Sequence, residues 1–127
     1  MKEVMAIIRM NMVNPTKTAL ASAGYPAFFC RKCLGRGKKG VNMRIAQSII
    51  ESDAPMEGTF GEHLSEYHRL IAKRMFTLII DDDQVDDVVN IIIDKNQTGN
   101  PGDGRIFIIP VAETYNVRTG QALTHAN

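Results

Sequence analysis

No stretch of this 127-residue sequence approaches the roughly 20 apolar residues needed to cross a bilayer. The opening residues Met1-Lys2-Glu3-Val4 hold no apolar run of signal-peptide length. Membrane insertion and export are therefore not expected, and the expected location is cytoplasmic. Charge of one sign is missing too: 15 Lys and Arg stand against 14 Asp and Glu, a formal net charge of +1. Such a chain has no overall field to attract nucleic acid or an anionic membrane, so charge must act locally. Aromatics are few, five Phe and three Tyr, and the strands lack the paired aromatic signature of an RNA-binding sheet, which argues against nucleic acid as a partner. Cysteine is limited to Cys30 and Cys33. This lone C-x-x-C has neither the strand-turn-helix setting of a redox dithiol nor a second Cys or His pair to complete a zinc site. Residues three apart on a strand point to opposite faces, so one thiol inward and one outward is the expected arrangement.

What is present fits one compact domain, residues 1–127, with 44% hydrophobic content and a modest core. Its most apolar strands look too hydrophobic for a monomer, so self-association is expected. Glu3 to Met10, EVMAIIRM, reads as a central strand covered on both faces. Asn14-Pro15 offers an N-cap followed by proline at the first helical position, predicting a helix from Thr16 to Ala23 that Gly24 stops. Ala27 to Leu34 reads as a second strand ending at Gly35-Arg36-Gly37. From there to Ala72 no regular core element fits, apart from a turn or two of helix at Arg44 to Ile50. Loops beyond about 12–15 residues in compact domains are usually functional or disordered, so residues 37–72 are expected to form a long mobile effector loop.

Met75 to Ile80 resumes the core as a third strand. Asp81-Asp82-Asp83 then supplies N-cap carboxylates for a helix from Gln84 to about Lys95, with Val85, Val88, Val89, Ile92 and Ile93 on one face. A fourth strand follows at Arg105 to Val111, where Pro110 predicts weakening pairing. The order βαββαβ, with a long loop between strands two and three, predicts an α+β, ferredoxin-like fold: an antiparallel sheet with both helices on one face.

The segment TGNPGDGR sets Gly99, Gly102 and Gly104 around Asp103, just before Arg105. Glycines adopt positive φ and let backbone N–H groups converge on an anion, while arginine adds a fixed cationic fork, so phosphate is the natural ligand. No Gly-Lys-Ser/Thr follows, so this is not a Walker loop. The plainer alternative is a tight turn that needs glycine for geometry alone. Two further basic corners lie at Gly35-Arg36-Gly37-Lys38-Lys39-Gly40 and at Asn116-Val117-Arg118-Thr119-Gly120. If neighbouring subunits bring them together, Lys38, Arg105 and Arg118 surround a polyphosphate. The carboxylates at 81–83, 86 and 87 read as helix capping rather than a cation site. His63 and His68 lack a standard metal-ligand spacing.

AIIRM with its following helix, GRGKKG, LIIDDDQVDDVVNIII, TGNPGDGRIFIIPV and VRTG together resemble the PII nitrogen-regulatory signalling proteins over nearly the whole chain. The resemblance implies a homotrimer, or a mixed oligomer with a PII-like paralogue, that binds ATP or ADP in the clefts between subunits. It places Gly37 and Lys38 at the nucleotide, Gly102, Asp103, Gly104 and Arg105 on the phosphates, Arg118 reaching in from the neighbour, and Ile7 and Ile79 around the base. It sets 2-oxoglutarate against Lys39, Gly40 and Lys73, and Mg2+ is held through the ATP phosphates. Lys39 stands where the family usually has a metal-assisting glutamine; a protonated lysine cannot ligate a metal but can pair with a carboxylate. Asn116 replaces a common second arginine, implying fewer phosphate contacts. The loop is longer than usual and lacks the enterobacterial modification tyrosine, Tyr67 lying far along it, so uridylylation is not expected.

The altered loop is similar to that of the paired PII-like proteins encoded with nitrogenase in methanogenic archaea, and more to the second of the pair. That likeness implies nitrogenase as the target. An ammonium transporter or glutamine synthetase is the alternative target, with the chain as a general PII-type regulator. No nucleophile–base pair or metal-ligand set supports an enzyme.

Overall fold

The computed structural model describes residues 1–37 and 70–126. Residues 1–33 and 72–127 cluster into one compact unit and 34–71 into another; of the second, only the chain leaving one strand and entering the next is described. Residues 38–69 of the expected effector loop, with the helical turn at Arg44 to Ile50, His63, His68, Lys38, Lys39 and Gly40, thus lie outside the described residues, while 71 and 72, expected in the loop, already belong to the strand Ile71–Ile80.

Strand β1, Lys2–Ile8, alternates as its pleat requires: Val4, Ala6 and Ile8 are buried, while Met5 and Ile7 face the other side. It pairs antiparallel with both β3 (Ile71–Ile80) and β4 (Arg105–Pro110). With β2 (Phe29–Gly35), the sheet order is β2-β3-β1-β4, the ferredoxin-like arrangement. Proline at the end of β4 is tolerated because β4 is an edge strand. Strand β3 starts four residues before the predicted Met75, since polar Lys73 and Arg74 hide the strand from a hydrophobicity reading while pairing still reaches Ile8↔Arg74. Strand β2 runs two residues later at its start than predicted, and its Cys30 and Cys33 are both free thiols.

Helix α1 covers Val13–Ser22 and follows a 3-10 turn at Met10–Met12. It begins earlier than the Asn14-Pro15 signal predicts: Met12 is the N-cap, and Pro15 sits within the first turn, where no N–H is required. Gly24 does end it, at φ +93°, with Gly24 N–H donating to Ala21 O and Tyr25 N–H to Leu20 O, the paired bonds of a Schellman motif.

A 3-10 turn at Asp82–Gln84 leads into helix α2, Val85–Asn96. Asp81 N–H donates to Gln84 Oε1 at 3.1 Å, which closes the helix start. Val88 and Ile92 are buried, but Ile93, predicted on the same face, is 42% exposed, and the third buried position is Asn96. Its Nδ2 donates to Thr16 Oγ1 at 3.0 Å and to Ile92 O at 2.8 Å, tying α2 to α1. A spacing of four, 88-92-96, therefore defines the inner stripe, and a polar tie replaces the expected isoleucine.

Leu20 of α1 and Val88 and Ile92 of α2 share one core with Val4, Ala6, Ile8, Phe76, Leu78 and Ile80. Both helices thus cover the same sheet face. The opposite face carries Met5, Ile7, Met75, Thr77, Ile79, Phe107 and Ile109, with Arg105 at one end; Thr77 is buried, Phe107 is exposed, and the other apolar side chains are half-buried. A short hairpin of β5 (Thr114–Tyr115) and β6 (Ala122–Leu123) ends the chain; the sequence signals only its turn. Among the described residues no helix is long and apolar enough to cross a membrane.

Candidate functional site

The loop between α2 and β4, residues 97–104, is built around one carboxylate. Asp103 Oδ2 accepts Thr98 N–H at 2.8 Å and Gly99 N–H at 2.9 Å, and Oδ1 accepts the Thr98 hydroxyl and Arg9 Nη1, the latter at 2.7 Å. The Thr98 hydroxyl and N–H, with the Arg9 guanidinium, hold the carboxyl below the usual carboxylate range. Asp103 is thus an ionised hub that organises the loop from within.

Two cations then set the loop's outer peptides. Arg9, just past β1, donates through Nη2 to Pro101 O at 3.1 Å, and Lys73 on β3 donates to Gly102 O at 2.8 Å. A trans peptide points its N–H opposite to its C=O, so holding these two carbonyls turns the N–H groups of Gly102 and Asp103 the other way. Among the described residues neither N–H has a protein acceptor. The two outward N–H groups, on the side away from Arg9 and Lys73 and close in sequence to Arg105, are a donor pair suited to an anion.

Glycine is required here for two different reasons. At Gly102 the reason is the backbone, at φ +94°, since a Cβ there would make only ordinary contact with Arg9 Nη2 at 3.5 Å and Lys73 Nζ at 3.6 Å. Gly104 has φ +123°, and its Cβ would fall 2.1 Å from Ile7 O, so any side chain would push the loop off β1.

The structure brings together Ile7, Lys73, Gly102, Asp103, Gly104 and Arg105, the last directly opposite Ile7 in the β1–β4 register. Ile79 stays apart: it pairs with Glu3 while Ile7 pairs with Met75, a separation of roughly 13 Å along the strands. Gly37 lies exposed beyond β2, and a Cβ added there would meet nothing within 4 Å. Arg118 is exposed in the C-terminal hairpin. Asn116 shapes that hairpin, accepting Thr119 N–H on Oδ1 at 3.2 Å.

Arg9 escapes the sequence reading. Its signal is an arginine closing an apolar strand, but its partner Asp103 lies 94 residues away. The acidic run at the start of α2 is spent on structure: Asp82 pairs with the Met1 ammonium at 2.6 Å, and Asp87 accepts the Tyr25 hydroxyl at 2.7 Å. That ammonium holds Asp82 below its ordinary value, and Asp87 raises the Tyr25 phenol.

Residues 1–121 match the family described as nitrogen regulatory protein P-II. A protein of Methanothermococcus thermolithotrophicus named nitrogen fixation nifHD region GlnB-like protein 2 is 43% identical over 95% of this chain and 94% of its own length. The GlnB-like protein 1 of the same organism is 34% identical over 95% of this chain and 97% of its own. The crystal structure of Arabidopsis thaliana PII bound to citrate matches with a TM-score of 0.68 at 24% identity, over 97% of this chain and 85% of that one; it speaks for the fold alone.

Proposed function

The chain belongs to the nitrogen regulatory protein P-II family, and we propose that it is a non-enzymatic cytoplasmic sensor that binds ATP or ADP together with 2-oxoglutarate. The observation that carries this reading is the pair of peptides 101–102 and 102–103: Arg9 and Lys73 hold their carbonyls, Pro101 O and Gly102 O, and the N–H groups of Gly102 and Asp103 face away. A terminal phosphate is small, anionic and rich in acceptors, which suits such a pair of donors with Arg105 alongside. Lys38 and Gly37 complete the phosphate side by family likeness.

Self-association supplies the rest. The apolar sheet face opposite the helices, with half-buried Met5, Ile7, Met75 and Ile79 and exposed Phe107 on it, favours burial against further copies, as a homotrimer or with a PII-like paralogue. Because Ile7 and Ile79 lie apart in one chain, a base pocket lined by both draws Ile7 from one subunit and Ile79 from the next, and Arg118 reaches the phosphates across the same boundary. Asp103 has its oxygens engaged by Thr98, Gly99 and Arg9, so Mg2+ is held through the ATP phosphates rather than by that carboxylate. The 2-oxoglutarate carboxylates pair with Lys73 and Lys39 next to Gly40.

The target is nitrogenase, engaged through residues 37–72 and released when ATP and 2-oxoglutarate are bound. Support comes from the nifHD-region names of the relatives and from the greater likeness to protein 2 than to protein 1 of one organism, 43% against 34% identity. Ligand binding biases the loop and does no chemistry.

Calorimetry with ATP tests the reading. The double variant Arg105→Ala, Arg118→Ala is expected to lose tenfold or more in affinity, on the order of two charge-assisted contacts; unchanged binding removes the phosphate site. Capture of nitrogenase that ends on adding ATP and 2-oxoglutarate tests the target.

A further inference from the structure

The C-terminal hairpin that carries Arg118 is, among the described residues, hydrogen-bonded to the rest of its unit at its two ends. Among the described residues, the hydrogen bonds of 113–124 all close within the hairpin. Asn116 N–H donates to Gln121 O at 2.8 Å, Gly120 N–H to Asn116 O at 2.7 Å, and Tyr115 hydroxyl to Glu113 at 2.8 Å. Before the hairpin, Val111 N–H donates to Met1 O at 3.2 Å. After it, Ala126 N–H donates to Asp81 Oδ1 at 2.9 Å, and His125 Nδ1 lies 3.7 Å from Asp81 Oδ2.

Asp81 is well suited to anchor a returning segment. It follows Ile80, which is locked opposite Lys2 in the sheet, and its own N–H is held by Gln84 Oε1. A carboxylate on so constrained a backbone fixes whatever bonds to it. The hairpin's internal hydrogen bonds are local, and those that fix its direction relative to the sheet are at its two ends, 111 and 126.

We propose that Asp81 is a positioning residue for the hairpin: its carboxylate, by holding Ala126 N–H, sets where Arg118 is presented. The functional half of this inference rests on the nucleotide-binding reading above; the tether itself does not. Asp81 thus has two duties: it closes the helix start in a capping box with Gln84, and it also holds the returning segment through Ala126 N–H.

Amide hydrogen exchange and ATP calorimetry on the full chain test this with three variants. Asp81→Ala removes the acceptor. Ala126→Pro removes the donor and leaves the start of α2 untouched. Asp81→Asn keeps an oxygen acceptor and drops the charge. Exchange across 114–123 is expected to accelerate roughly three- to tenfold in Asp81→Ala and Ala126→Pro, the range of a single hydrogen bond, and to return close to wild type in Asp81→Asn. ATP affinity is expected to fall by a similar factor in the first two variants. Unchanged exchange in Ala126→Pro overturns the tether, and equal loss in Asp81→Asn and Asp81→Ala overturns it in favour of a plain charge effect at the helix start. Faster exchange with unaltered ATP affinity overturns the positioning role. A wild-type chain that retains no ATP removes the nucleotide reading, and the exchange data then judge the tether alone.

Discussion

The glycine loop at 97–104, which leads into Arg105, and the C-terminal hairpin at 114–123, which carries Arg118, both use positive-φ glycine, three in the loop and one in the hairpin, yet they are held by opposite means. The loop takes its shape from distant residues: Arg9 just past β1 and Lys73 on β3 reach in to hold Pro101 O, Gly102 O and Asp103. The hairpin takes its shape from itself, through Asn116, Thr119 and Gln121. Similar composition therefore says little about how a turn is built; what matters is whether its polar groups find partners nearby in sequence or across the fold.

Breaking the loop at its tightest point should give the largest effect. Gly104→Ala forces a Cβ to 2.1 Å from Ile7 O at φ +123°, and a strained backbone added to a clash against a strand is expected to destabilise by about 3 kcal/mol or more. Urea denaturation should show this, along with lost ATP binding. The matching change in the hairpin, Gly120→Ala, meets nothing within 4 Å at φ +69°. A mild left-handed penalty of about 1 kcal/mol is expected, with a response in hydrogen exchange confined to 114–123. Equal effects at the two glycines would erase the contrast.

Acid should separate the regions next. Asp103 is held below the ordinary carboxylate value of about 3.9 chiefly by Thr98 and then by Arg9. Its contribution is therefore fully present above that pH and declines as pH falls below about 4, toward the depressed folded value. Asp103→Asn should remove this part of the acid sensitivity, so the stability difference from wild type should shrink as pH falls from about 5 to about 3. A constant difference across that window would show that the ionised form of Asp103 does not hold the loop.

The smallest expected effect belongs to Asn116→Ala. It deletes a local bond from Thr119 N–H at 3.2 Å, worth about 0.5–1.5 kcal/mol at most, and should accelerate exchange at the hairpin tip without altering exchange at Thr98 or Gly99. A change at the loop amides would mean that the two regions are coupled within one chain.

Much of the fold is legible in the sequence, and the misreadings have physical causes. Strands are visible wherever apolar residues run together, as in MFTLII, and invisible where Lys73 and Arg74 extend β3 through pairing alone. The start of α1 is misplaced by the sequence signal because Asn14-Pro15 mimics a cap that the preceding 3-10 turn makes unnecessary. Periodicity favours Ile93 for the core and overlooks Asn96, since a buried amide is intelligible only once Thr16 of the other helix is beside it. Arg9 is hidden for the same reason: nothing adjacent to it in sequence indicates its role.

Hydrophobic periodicity and glycine placement are enough to specify the βαββαβ order, the two helices and the glycine-built turn at TGNPGDGR, because those are properties of neighbours along the chain. The setting of the loop's donor pair by Arg9 and Lys73, the distance between Ile7 and Ile79, and the tie from Ala126 back to Asp81 arise only when strands far apart in sequence lie side by side. Hydrogen bonds across such separations depend on angstrom-scale placement that no local pattern encodes.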